Sequence, residues 1–210
     1  MMKKNKIFFI VNALHSKKNK NLKKLIRTKF LSEKYDVNIL ISEYKGHCIK
    51  LAEQAVENKA NIVVACGGDG TVNEVGQSLI KKPVLLGVIP LGSGNGFARH
   101  FNIPRNLNYA LDIISKNFST TIDVGKINKR FFFSNFGLGV EAKFIEEYSK
   151  IKTRGLLGYI ISFLKIISRY KKQKIEIEFN NIRKKIFPFL FLISNTSEQE
   201  YNFSITPNAK

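Results

Sequence analysis

"ACGGDGTVNEVG", residues 65–76, sets four glycines around Asp69 and Thr71, directly after the β-branched run NIVVA (61–65). Glycine loses more freedom on ordering than any other residue, so such a cluster marks a sharp bend or a close approach. Thr71 with Glu74 three residues later fits a capping box, with Thr71 as N-cap and Glu74 reaching back. That accounts for Thr71 and leaves the glycines around an acid without a reason. We therefore expect Gly67, Gly68 and Gly70 to bare backbone N–H groups to an anion at a helix N-terminus. An acid there would repel a bare phosphate, so Asp69 is expected to meet it through a cation such as Mg²⁺.

Outward from this turn the chain alternates. Apolar runs at 7–11, 37–42, 61–66 and 84–89 read as buried strands, with helical stretches near 19–31, 46–58, 71–81 and 106–116. This spacing predicts βαβ units around a parallel sheet, whose ligands lie beyond the carboxyl ends of the strands. A second glycine-rich turn, PLGSGNG (90–96), follows the strand VLLGVI (84–89) and falls on that same edge. From about residue 120 the pattern changes to TTIDVGKI, RFFFSNFG, QKIEIEFN, RKKIFPFLFLIS and YNFSIT, with helical stretches near 141–150 and 155–170. The expected fold is α/β: a nucleotide-binding domain over 1–119, then a β-rich domain over 120–210 that reads as C-terminally incomplete after TPNAK.

With 210 residues the chain can bury a sizeable core. Its net charge of +19 favours anionic partners, or reflects drift in a chain rich in Lys, Asn, Ile and Phe. Cys48 and Cys66 have no metal-ligand spacing and are expected as reduced thiols in a cytosolic protein. The start, MMKKNKIFFIVNAL, resembles a signal peptide only briefly before Asn12 breaks it, and IFFIV reads as the first strand. Residues 155–170 are too short for a membrane span and carry Lys165, so a core-packed amphipathic helix is expected there. The basic runs at 17–24, 169–174 and 183–185 read as solvated faces that would also favour an anionic bilayer surface. The charge is mostly Lys and spread along the chain, which argues against a nucleic-acid partner.

No phosphate-loop motif G-x-x-x-x-G-K-[ST] is present. GLGVEA (137–142) matches G-x-G-x-x-A but opens no βαβ unit and lacks the acid that a dinucleotide site needs. GGDGTVNEV (67–75) followed by PLGSGNGFARHFNIP (90–104) resembles the diacylglycerol kinase catalytic domain family, in particular its bacterial soluble lipid kinases, which are related to sphingosine kinases. The resemblance extends to SEYKGHCIKLAEQA (42–55), IDVGKIN (122–128), NFGLGVEA (135–142) and KTRGLLGY (152–159).

That resemblance implies a lipid kinase with ATP and Mg²⁺ held in the first domain. The positions it implies for nucleotide contact are Asn12, Ser42, Gly67, Gly68, Asp69, Gly70, Thr71, Val72, Asn73, Gly92, Ser93, Gly94 and Asn95, with Asp69 also the metal ligand. Two departures stand out. The family's Asn-Pro-x-Ser-Gly turn keeps Asn12 here but continues Ala13, Leu14, His15 and Ser16. The family's further metal carboxylate and catalytic base are expected beyond Lys210, so no residue is assigned as base. His15, His47 and His100 are expected as local hydrogen-bond partners.

The resulting expectation is γ-phosphate transfer from ATP to the hydroxyl of a diacylglycerol-like or sphingoid lipid, in the cytoplasm and peripherally at the inner membrane surface. The alternative is a shortened, weakly active or inactive nucleotide-binding relative. An unfinished β-domain would also leave an edge that invites pairing as a homo-oligomer.

Overall fold

Strand β1 (Asn5–Val11) is buried from Ile7 onward, and β3 (Ile62–Gly67) along its whole length. Such unbroken apolar runs suit strands covered on both faces by helices. The computed structural model describes residues 4–16, 21–31, 34–140, 143, 164, 166–167 and 170–196. In it β1 and β3 join β2 (Tyr35–Ile41) and β4 (Leu85–Pro90) in a parallel sheet of order β2-β1-β3-β4. Period-2 alternation divides the core between its faces. Phe8, Ile10, Val63 and Ala65 pack with Cys48 and Ala52 of α3 (His47–Glu57) and Val75 of α4 (Asp69–Leu79). Ile7, Phe9 and Val64 pack on the other face with Leu22 and Ile26 of α2 (Leu22–Lys29) and Leu111 of α6 (Leu107–Ser115).

The expected parallel α/β architecture is thus present, with each of the four long helices within a few residues of its expected span. Two short helices, α1 (Ala13–Ser16) and α5 (Gly96–His100), were not anticipated. The strand order carries the chain from β1 out to β2 and back across to β3. The strand order reverses between the parallel strands β1 and β3, and that switch point opens a crevice at their carboxyl ends.

The chain divides into two compact units, Met1–Ser134 with Ser194–Lys210, and Asn135–Ile193. The hairpin β5 (Gly125–Ile127) and β6 (Arg130–Phe132) belongs to the first unit. Phe133 lies so close to Gly76 of α4 that a Cβ there would overlap its ring. Asn195 Nδ2 donates to the Asp123 and Phe133 carbonyls at 2.6 and 3.2 Å. Residues 120–134, read from sequence with the β-rich part, therefore pack with the α/β unit.

In the second unit β7 (Asn135–Gly139) pairs with β10 (Leu190–Ser194), and β8 (Ile175–Phe179) with β9 (Ile182–Ile186). Asn180 and Asn181, at φ 47° and 64°, make the tight turn between β8 and β9. Register sets Ile175 opposite Ile186 and Phe179 opposite Ile182, with Glu176–Lys185 and Glu178–Arg183 on the alternate face. Of the expected helices at 141–150 and 155–170, only 143, 164, 166, 167 and 170 are described, and the expected strand at 201–206 lies outside the described residues. Among the described residues no helix is long and apolar enough to cross a membrane.

Both cysteines are free and buried. Burial pushes the Cys48 thiol up, helped by the Glu74 carboxylate and opposed by a hydrogen bond from Ser42. Burial pushes Cys66 up further. Raised thiols contribute stability that is fully present below the unfolded-state value of about 8.5 and is lost progressively as pH rises from there through the raised folded-state values. We expect native protein to resist a thiol reagent at about pH 8 and both thiols to react on unfolding. The urea midpoint should fall between about pH 8 and pH 10; a midpoint that rises over that range would contradict the assignment.

Candidate functional site

The first glycine turn lies at the switch point. Strand β3 runs to Gly67, Gly68 makes the bend in extended conformation (φ −95°, ψ −169°), and α4 begins at Asp69. The capping-box expectation is overturned. The N-cap is Gly68, with no side-chain cap, and the Thr71 and Val72 amides return to its carbonyl at 2.9 and 3.1 Å. The helix starts two residues earlier than expected and Thr71 falls inside its first turn. Thr71 Oγ1 instead accepts from Asn12 Nδ2 at 3.1 Å, which ties α4 to the end of β1. Glu74 Oε1 accepts from the Gly46 amide at 3.2 Å, in the turn after β2. The first-turn amides that this arrangement does not consume are those of Asp69 and Gly70.

Asp69 has a role that local sequence did not show. Its Oδ2 accepts the Gly96 amide at 2.9 Å and its Oδ1 the Phe97 amide at 2.8 Å. These are the first two amides of α5, so one carboxylate joins the two glycine turns. Each such bond to a charged acceptor contributes about 1.5–3 kcal/mol. Asp69 also places its charge at the start of its own helix, which the dipole favours.

The second turn is pinned from within. Asn95 adopts the left-handed conformation (φ 55°, ψ 47°) and is 2% exposed. The Gly92 amide donates to its Oδ1 at 2.9 Å, and its Nδ2 donates to the Gly92 carbonyl at 2.7 Å. The Asn95 amide thus serves its own turn. The turns also touch: a Cβ on Gly92 would lie 2.7 Å from Gly68 Cα, and one on Gly68 would lie 3.4 Å from Gly92 Cα. Gly92 is needed where backbone meets backbone, whereas a Cβ on Gly68 would make an ordinary contact. Gly70 differs. It lies exposed in the first turn of α4, and nothing stands within 4 Å of the place a Cβ would occupy.

The remaining sequence-assigned residues divide between the rim and the interior. Ser42 is buried, and its Oγ accepts the Ala13 amide at 3.1 Å. Asn12 Oδ1 accepts the Leu14 amide at 3.0 Å, so this turn closes on Asn12 without a proline or glycine. Gly67 and Gly94 are buried, and Val72 belongs to the core. Asn73 is half-buried and its carbonyl accepts from Gln77 Nε2 at 3.2 Å, while Ser93 is exposed. His47 is a local partner, its Nδ1 accepting the Glu43 amide at 3.1 Å. His100 packs edge-on against Phe101, and the side chain of His15 lies outside the described residues. Arg105 was not singled out from sequence; its Nη2 donates to the Gly92 carbonyl at 3.4 Å and sets a guanidinium beside the second turn. Its signal, a cation just after a glycine-rich loop, is too common to notice without the fold.

Asp69→Asn should destabilise the protein by about 1–3 kcal/mol, because the new amide group faces one of two N–H donors. Gly92→Ala should also destabilise, through contact with Gly68. Urea midpoints and limited proteolysis within 92–97 check both; unchanged stability in Asp69→Asn would remove the joining role of its carboxylate.

Comparison with known proteins agrees with this geometry. The family profile described as "Diacylglycerol kinase catalytic domain" matches residues 6–127. Curated relatives named "Diacylglycerol kinase" from Staphylococcus aureus strains JH9 and Newman are each 30% identical over 181 residues. The match covers 84% of this chain and 57% of each relative, so the chain spans little more than half their length. A crystal structure of a diacylglycerol kinase from Bacillus anthracis str. Sterne shares the fold, with a TM-score of 0.72 at 24% identity over 100% of this chain and 71% of that one. By sequence match and by fold, the chain belongs to the diacylglycerol kinase catalytic domain family.

Proposed function

We propose that this chain binds ATP with Mg²⁺ across the carboxyl edge of its parallel sheet and transfers the γ-phosphate to the hydroxyl of a diacylglycerol-like or sphingoid lipid. Family membership supports the kinase class. The observation that carries the nucleotide reading is Gly70. Glycine costs a helix interior about 0.5–1 kcal/mol relative to alanine, and that cost is an upper bound for this first-turn position, where no neighbour occupies the space a Cβ would take. A residue with that cost and no packing reason suits the close approach of a ligand. The Asp69 and Gly70 amides face an anion with the dipole of α4 behind them.

In this reading the two amides hold phosphate oxygens, with Ser93 in the second turn and Asn73 one helical turn into α4 at the rim. Arg105 brings a cation to the second turn. The joined turns keep these donors in place before the ligand arrives, which is how positioning and electrostatics lower a phosphoryl-transfer barrier. Mg²⁺ fits this donor set as an ion carried by the nucleotide. Among the described residues no group of three His, Cys, Asp or Glu side chains gathers to hold a metal, whereas Asp69 retains a lone pair on each oxygen. Mg²⁺ commonly takes one or two carboxylates with phosphates and water, and it would neutralise developing phosphate charge. Lysine and arginine outnumber acids by 35 to 16, which would draw the protein to an anionic bilayer surface carrying the lipid acceptor.

The second reading, a nucleotide-binding relative with little turnover, is favoured by one observation. The carboxylate of the first turn is occupied by α5, and no described residue has been identified as a proton acceptor there. Incubation with Mg·ATP and vesicles of diacylglycerol or sphingoid lipids separates the two. Lipid phosphate supports the kinase, bound nucleotide without product supports the second reading, and failure to bind Mg·ATP overturns both. Gly70→Ala should weaken Mg·ATP binding at least about tenfold while leaving stability equal or about 0.5–1 kcal/mol higher. Wild-type affinity in that variant would reject the cradle.

A further inference from the structure

We propose that Tyr44, stacked on His47 at the carboxyl end of β2, is the surface on which the nucleobase lies and a determinant of preference for a nucleotide over a bare polyphosphate. The inference rests on the nucleotide reading given above and extends it to the base. Tyr44 and His47 are parallel within 2°, with ring centroids 4.4 Å apart. The imidazole is itself held, because its Nδ1 accepts the Glu43 amide. Despite this stacking Tyr44 is 53% exposed; Tyr109 and Phe118 of this unit are also exposed but lie on α6 and just after it rather than at the strand ends that carry the glycine turns. Lys50 Nζ lies over the Tyr44 ring, 5.8 Å from its centroid. A half-exposed aromatic ring fixed in orientation suits a flat π-system, and base–aromatic stacking is worth about 1–3 kcal/mol.

Position supports the same conclusion. Ile41, Val11 and Cys66 stand level across β2, β1 and β3, so the turns that follow all leave the sheet on one edge. With β1 between them, the ends of β2 and β3 are about 10 Å apart at the usual strand spacing. The Tyr44 turn is also tied to α4, through the Gly46 amide and Glu74. Glu74 is one helical turn, about 6 Å, beyond Gly70. The platform therefore stands off from the phosphate cradle by a distance comparable with the reach from a nucleobase to its phosphates. Between them the chain leaves β1 through Asn12 into α1, where Asn12 and Ser42 turn their hydrogen bonds inward.

The test compares Mg·ATP with magnesium tripolyphosphate, which keeps the phosphates and lacks the base, on the full chain and on Tyr44→Ala and Tyr44→Phe. Tyr44→Ala should lose about ten- to hundredfold in ATP affinity and keep its tripolyphosphate affinity, which also shows that the variant is folded. Tyr44→Phe should remain within about threefold of wild type for both ligands, since stacking needs the ring and not the hydroxyl. Wild-type ATP affinity in Tyr44→Ala, or equal loss for both ligands, overturns the platform while the cradle stands. A wild-type chain that binds neither ligand overturns the nucleotide reading and the platform with it.

Discussion

One carboxylate organises this site: Asp69, which opens α4, accepts the first two amides of α5 and so joins turns that follow different strands. The geometry around it depends on that bond. Gly68 and Gly92 lie in backbone contact because the turns are drawn together, and Gly92 has no room for a side chain without displacement of Gly68. Asn95 then closes the second turn on itself, in a backbone conformation that asparagine tolerates better than most residues. An acid among glycines, which first suggests a metal, is thereby accounted for by hydrogen bonding. Its charge is partly met by protein donors, so it opposes a nearby phosphate less than its sequence position implies.

The sheet supplies the setting. Reversal of the strand order between the parallel strands β1 and β3 parts their following segments and opens the edge where the first turn lies. Asn12 spans that opening to Thr71, Ser42 holds the turn after β1, and Glu74 holds the turn after β2. Three strand ends are thus fastened to one helix start by polar side chains that face inward. The outside carries, among other exposed residues, two amides, Gly70 and Ser93, a guanidinium and a stacked tyrosine. A ligand meeting such a surface encounters donors that are already placed, which limits the ordering entropy that binding must overcome.

Much of this was legible in the residues. Period and composition determined the four strands, the four long helices and the edge on which the glycine turns fall, because burial of alternating apolar residues and helical spacing are local properties. The paired motifs also determined the family to which the chain belongs. The roles of individual polar residues were another matter. Thr71 looked like a cap and bonds Asn12; Asn95 also closes its own turn; Asp69 also holds α5. Each partner stands on a different element or folds back through a turn whose geometry is not encoded by spacing. The packing of residues 120–134 with the α/β unit, through Phe133 against Gly76, likewise had no local sign. Sequence determines which groups must find hydrogen bonds and which surfaces must be buried. Only the folded chain decides which of many chemically equal partners comes within reach, because that choice depends on distances between segments remote along the backbone.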